Sequence, residues 1–193
     1  MKDHGHHGRH RNHPPGPSNM ILLVGNPNVG KSVLFNRLTG AEAVVSNYPG
    51  TTVDYTEGTF FVEGTEYTLI DVPGTYSLDA RDKAEEVAVK MIRDHPQAIV
   101  ILVLDATRIE RGLYLAFEVM EMGVPVVLAL NMMDVAREKR IAIDVEKLHG
   151  LIGVPVVPLV GISGEGLKDL GDIIWSAKPA DIEKIKSNLG GVQ

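Results

Sequence analysis

An α/β fold, with a mostly parallel six-stranded sheet and helices on both faces, is what this sequence predicts, and three observations carry it. Strand-like and helix-like stretches alternate from residue 20 to residue 176, the order that builds parallel sheets through crossover helices. Two apolar runs, residues 99–104 and 124–130, have the composition of strands buried on both faces. A glycine loop, Gly25-Asn26-Pro27-Asn28-Val29-Gly30-Lys31-Ser32, separates the first strand from the first helix.

Composition narrows the class. At 193 residues, one domain with its own core is expected. A formal charge of -6 argues against general affinity for nucleic acid or an anionic membrane surface. The chain has no cysteine, which excludes a disulfide framework and thiolate metal ligands. Its apolar runs are too short to span a bilayer, and its N-terminus lacks the apolar core of a signal peptide. A soluble, cytoplasmic chain that does not insert into the membrane is the expectation.

Three regions follow in order. Residues 1–19 hold His4, His6, His7, His10 and His13 with three prolines, and have too little apolar surface to offset their ordering entropy. A disordered arm is expected there; neutral imidazoles make it a loose transition-metal chelator, although a plain solvated arm reads equally well. Residues 20–176 form the domain. Its first strand is 20–24 and its first helix 32–39, followed by a polar stretch, 41–56. Strands 57–62 and 67–71 are close enough to pair as a hairpin. Residues 79–94 have helical spacing, with Val87, Met91 and Ile92 on one side. Strand 99–104, helix 112–122, strand 124–130, helix 144–151, strand 154–159 and helix 167–176 complete the alternation. Residues 177–193 make a short tail, in which 181–189 reads as an exposed turn or two.

The glycine loop has two glycines four residues apart, the second followed by Lys31 and Ser32, between a strand and a helix. That is the context of a phosphate-binding loop. Residues Asn26 to Val33 line its concave anion site, all but Pro27 with a backbone N–H; Lys31 reaches terminal phosphates and the Ser32 hydroxyl helps hold magnesium. Asp71-Val72-Pro73-Gly74 ends a strand about 40 residues on, the order in which P-loop hydrolases supply a magnesium-linked carboxylate and, from Gly74, a phosphate-contacting amide. Asn131-Met132-Met133-Asp134 follows another strand. Asp134 can accept paired hydrogen bonds from guanine, with Asn131 tying the loop to the P-loop; the competing reading makes Asp134 a helix cap. Between these lies Asn47-Tyr48-Pro49-Gly50-Thr51-Thr52, where Thr51 and Thr52 compete as the hydroxyl offered to magnesium when a third phosphate is present.

Taken together, these four motifs, with Thr75-Tyr76-Ser77-Leu78 after the Asp-Val-Pro-Gly turn, resemble the GTPase domain of the ferrous iron transport protein B family of bacteria and archaea. The resemblance covers residues 20–175 and implies a Ras-like P-loop fold that binds GTP and GDP with magnesium. It implies Thr52 as the switch I magnesium ligand, switch I over 41–56 and switch II over 73–82. Asn28 matches an asparagine associated in the family with a rate-enhancing potassium ion. The implied catalytic set is therefore Lys31, Gly74, Thr52 and Asn28. Thr75 stands where Ras-like enzymes carry a water-orienting glutamine, so slow intrinsic turnover is expected. Val160-Gly161 is matched to the family's guanine-supporting Ser-Ala, leaving the Gly161 amide for the guanine carbonyl.

The family's helical domain and membrane permease have no counterpart in the sequence, so iron transport by this chain alone is not expected. A membrane iron permease or a regulatory protein is the implied partner, and homo-oligomerisation stays open. Two other readings stand beside the iron-uptake switch: a metal-delivery GTPase using the histidine arm, and a non-catalytic sensor of GTP and GDP.

Overall fold

The computed structural model describes residues 19–40 and 42–190. The histidine arm, with His4, His6, His7, His10 and His13, lies outside the described residues. Seven strands form one sheet in the order β2-β3-β4-β1-β5-β6-β7. They are β1 (Met20–Gly25), β2 (Ala43–Asn47), β3 (Asp54–Val62), β4 (Thr65–Asp71), β5 (Ile99–Asp105), β6 (Val126–Asn131) and β7 (Val156–Pro158). β1, β4, β5, β6 and β7 run parallel. β3 runs antiparallel to β4, and β2 to β3.

The seventh strand corrects the six-strand expectation. β2 falls in the polar stretch before residue 56 and lies at the sheet edge. Val44 and Val45 are 60% and 67% exposed, so burial imposes no alternation on its sequence, and alternation is what marks a strand.

Among the described residues, seven α-helices accompany the sheet: α1 (Lys31–Thr39), α2 (Lys83–Asp94), α3 (Ile109–Glu121), α4 (Met133–Glu138), α5 (Val145–Ile152), α6 (Leu167–Ile173) and α7 (Ile182–Gly190). Side chains alternate across each strand, which separates two cores. Leu22, Val24, Val100, Leu102 and Leu104 pack with Val87, Met91 and Ile92 of α2 and Leu115 and Val119 of α3. Ile21, Leu23, Ile101 and Val103 pack on the other face with Leu34 and Phe35 of α1 and Leu170 of α6.

Helix α2 begins at Lys83 rather than at residue 79. The Asp82 carboxylate caps the helix through the Glu85 amide at 2.9 Å. Buried Glu85 accepts the amides of Tyr76 and Arg81, which holds the preceding segment as loop. The tail is also more ordered than expected. Lys178 accepts a hydrogen bond from the Val126 amide, and α7 rests on α5 with Ile185 buried.

From β1 the chain crosses to the edge strand β2 and returns through β3 and β4 to the side of β1, then continues outward through β5, β6 and β7 on the other side. The glycine loop leaves the carboxyl end of β1 at this switch point, where open α/β sheets bind ligands.

Candidate functional site

The glycine loop is shaped by its neighbours as much as by its sequence. Asn28 and Gly30 both take left-handed backbone conformations, with φ 65° and 89°. A Cβ on Gly25 would meet the Val103 carbonyl oxygen at 2.5 Å, and one on Gly30 would meet Asn131 Nδ2 at 2.5 Å. Both positions therefore require glycine. Helix α1 starts directly after Gly30, so the amides of its first turn, including Ser32 and Val33, have no intrahelical partners and face an anion site.

Lys31, Ser32 and Asp71 come together at one end of this loop. Ser32 Oγ donates to Asp71 Oδ2 at 3.1 Å. Lys31 Nζ stands 3.7 Å from Asp71 Oδ1, an ion pair too long for a hydrogen bond, so this buried oxygen has no hydrogen-bond partner. Burial pushes the Asp71 carboxyl above its ordinary range, against the opposing pull of Lys31 and Ser32. A desolvated carboxylate with an orphan oxygen beside a hydroxyl fits a hard divalent cation such as magnesium.

Because folding raises this pKa, the folded chain holds the proton more tightly than the unfolded one. The stability this confers is present at low pH and is lost as pH rises through the raised value. Asp71→Asn should therefore raise the melting temperature of the metal-free protein at pH 7 while weakening magnesium-dependent nucleotide binding. A lowered melting temperature would show that the ion pair with Lys31 outweighs the cost of burial.

The Asp71–Gly74 turn is stitched to the glycine loop. The Val72 amide donates to Leu23 O and the Thr75 amide to Gly25 O. Gly74 lies between them, close enough that a Cβ would stand 3.2 Å from Pro27, and its amide has no hydrogen-bond partner among the described residues. Thr75 is fully buried, and its hydroxyl donates to Ser77 O at 2.6 Å. Its short side chain is thus spent within its own turn.

Buried Asn131 joins three segments. Its Nδ2 donates to Val29 O and its Oδ1 accepts from the Gly161 amide, each at 2.9 Å. This corrects the expectation for Gly161, whose amide is committed to Asn131 and is not available to a base. Val160 is buried too. Its amide donates to Glu165 O, and its carbonyl accepts from Gly164. The next amide belongs to Ile162, a residue 75% exposed whose carbonyl is held by Arg37. Of the two amides, that of Gly161 is engaged and that of Ile162 has no hydrogen-bond partner among the described residues.

Asp134 is not a helix cap. Met132, with φ 64°, occupies the N-cap of α4 without a side-chain bond, and Asp134 lies within the first turn. Its carboxylate is half-buried and has no hydrogen-bond partner among the described residues.

Thr51 and Thr52 stand apart from this cluster. The segment 48–53 closes on itself: the Thr51 hydroxyl donates to Tyr48 O at 2.9 Å and accepts from the Val53 amide at 3.2 Å. The Thr51 hydroxyl is therefore engaged within the turn, and exposed Thr52 lines a cleft against α2. Thr56 pairs with Asp71 across the sheet, which places Thr52, four residues away, up to about 13 Å beyond. Tyr48 anchors the turn by donating to Asp94 Oδ2 at 3.0 Å. Burial and that carboxylate push the phenol above its ordinary pKa, so it stays a donor.

Sequence reasoning missed Glu85, Glu118, Arg37 and Ile162. Glu118 accepts the Leu78 amide at 2.8 Å and with Glu85 fixes the segment after Asp71; nothing in the local sequence pairs either carboxylate with that loop. Among the described residues, no group of three or more His, Cys, Asp or Glu side chains is placed to hold a metal ion. No helix among them is long and apolar enough to cross a membrane.

A family model described as ferrous iron transport protein B matches residues 19–174. The Fe(2+) transporter FeoB of Salmonella typhimurium is 44% identical over 154 residues, 78% of this chain and 20% of the transporter. The Escherichia coli K12 transporter is 42% identical over the same shares. The chain thus spans about a fifth of the length of the curated relatives it matches. Among solved structures, the cytosolic domain of L. pneumophila FeoB superposes with a TM-score of 0.79 at 40% identity, over 84% of this chain and 66% of that one. The G domain of T. maritima FeoB gives 0.73 at 39% identity, over 88% and 98%. The T. maritima cytosolic domain is also known in GDP and GMPPNP forms.

Proposed function

The chain belongs to the ferrous iron transport protein B family, and on that premise we propose that it is a magnesium-dependent GTPase, a cytosolic switch domain acting in ferrous iron uptake. One observation supports this most: Asn131 is bonded both to the glycine loop and to the loop before Ile162. A phosphate site and a base-reading loop are thereby held in fixed register.

In this reading the amides of the glycine loop and the Lys31 ammonium bind the phosphates and stabilise charge that spreads over them as the terminal bond breaks. Ser32 and Asp71 would hold magnesium, which would supply Lewis-acid stabilisation of the phosphate oxygens. The free Gly74 amide donates to the terminal phosphate. Asp134 accepts from guanine, and the Ile162 amide takes the role first expected of Gly161. Thr52 completes the site after switch I moves in from α2. With Thr75 turned inward, no side chain at that position orients water, so intrinsic turnover is slow. Exposed Asn28, with no hydrogen-bond partner among the described residues, offers its side-chain oxygen to potassium, whose charge would speed the reaction.

Lys31→Ala should weaken GTP binding by about a hundredfold or more, the loss of a charge-assisted contact worth about 3 kcal/mol. Titration with a fluorescent GTP analogue measures this, and an unchanged affinity would remove Lys31 from the phosphate site.

Steady-state GTP hydrolysis with magnesium, in potassium and then in sodium at equal ionic strength, tests the function. Turnover stimulated by potassium and returned to the sodium level by Asn28→Ala supports the full reading. Equal rates in both salts would leave a GTPase without cation activation, and no turnover in either would leave a nucleotide-binding domain alone.

A further inference from the structure

The Tyr48–Val53 turn and α2 enclose a cleft of about 750 Å³, within the range of small-molecule sites. It is separate from the glycine loop. Lys83, Lys90 and Arg93 line it with one opposing carboxylate, Glu86, while Ala80 and Val87 contribute to a mainly apolar wall. These cations recur along one side of α2, and their aliphatic stems add apolar surface beneath charged heads. The other acids on this helix are engaged, Asp94 by the Tyr48 hydroxyl and buried Glu85 by the amides of Tyr76 and Arg81. The cleft therefore combines an apolar interior with a net positive rim, which suits a molecule with an apolar body and one anionic group.

We infer that this cleft is a binding site for a small amphipathic anion, such as an aryl or acyl carboxylate or phosphate, and that its occupant holds switch I withdrawn. Thr51 and Thr52 form one wall of the cleft. Moving Thr52 toward Ser32 and Asp71 dismantles that wall, so an occupant that needs it opposes the movement by its differential affinity for the two states. The coupling is reciprocal: GTP binding must expel the occupant to the same degree that the occupant weakens GTP. This second half rests on the assignment of Thr52 to the GTP-bound site proposed above, whereas the cleft itself does not.

Anilinonaphthalene sulfonate, an amphipathic anion that fluoresces in apolar surroundings, is the probe. The whole chain is titrated with it in saturating GDP, which keeps the dye out of the nucleotide site. Saturable binding of one dye per chain is expected, weakened about tenfold or more by Lys90→Glu with Arg93→Glu. Both side chains are exposed, so the double variant should keep its melting temperature and its GDP affinity. Dye binding unaltered by the double variant would overturn the site. Replacing GDP with a non-hydrolysable GTP analogue should return the fluorescence toward that of free dye. Retained dye, with the analogue independently shown to be bound, would overturn the coupling. An analogue that fails to bind would instead count against the GTPase reading, while the charge-reversal result would still decide the cleft.

Discussion

Asn131→Ala should lower the stability of the protein by about 2–4 kcal/mol and its GDP affinity by about a hundredfold. Asn131 is 3% exposed, and its amide satisfies the Val29 carbonyl and the Gly161 amide at once. Truncation leaves a buried acceptor and a buried donor unpaired, each costing about 1–3 kcal/mol. That is a large part of the ~5–15 kcal/mol that holds a domain folded. The affinity loss has a separate origin. With Asn131 gone, the glycine loop and the loop before Ile162 are no longer held in register, and the nucleotide must order them as it binds.

Denaturant unfolding and fluorescent-GDP titration on the same variant separate the two effects. Lower stability with unchanged affinity would make Asn131 a structural tie alone. Asn131→Asp is the informative companion, because it keeps an acceptor for Gly161 but faces the Val29 carbonyl with a second oxygen. It should lose affinity nearly as far as alanine does.

The parts of the fold that were legible in the sequence are those where burial writes a pattern. The runs in β5 and β6 are apolar throughout because both faces are covered, and they stand where expected. β2 left no such mark because neither face is covered. The start of α2 was misplaced because carboxylates decide it: Asp82 caps the helix and Glu85 reaches back to two loop amides. Those bonds depend on tertiary placement that helical periodicity does not encode. In α7, Ile185 is buried with Ile182 packed beside it while Leu189 is left exposed, and so few apolar residues in a short helix are too weak a signal to distinguish it from an exposed turn.

The candidate site divides in the same way. That Lys31, Ser32 and Asp71 meet beside the glycine loop was legible, because a loop after one parallel strand and a carboxylate ending its neighbour share one edge of the sheet. The engagement of the Gly161 amide by Asn131 was not legible. A backbone amide is carried by any residue type, so its engagement leaves no mark in the sequence. Thr52 was placed by resemblance in a magnesium site, and the structure finds it against α2. That placement depends on the Tyr48–Asp94 contact, which joins residues far apart in the sequence.

Asp134→Asn should exchange nucleotide specificity without disturbing the fold. The Asp134 carboxylate has no hydrogen-bond partner among the described residues, so little stability is lost with it. The change should stay within about 0.5 kcal/mol, including the weak preference for an anion in the first turn of a helix. Against guanine the effect is much larger. The carboxylate accepts from both the ring N–H and the exocyclic amine, and an amide has only one oxygen with which to do so; its NH₂ then meets a second donor. Loss of two charge-assisted hydrogen bonds is worth about 3–4 kcal/mol, a fall in GDP affinity of roughly two to three orders of magnitude. Xanthine carries a carbonyl where guanine carries the amine, so the same NH₂ finds an acceptor, and xanthosine diphosphate should bind the variant more tightly than GDP does. Competition of the two diphosphates against a fluorescent nucleotide reads both affinities in one experiment. If GDP still wins in the variant, guanine is read elsewhere, and the unpaired Ile162 amide becomes the group to test.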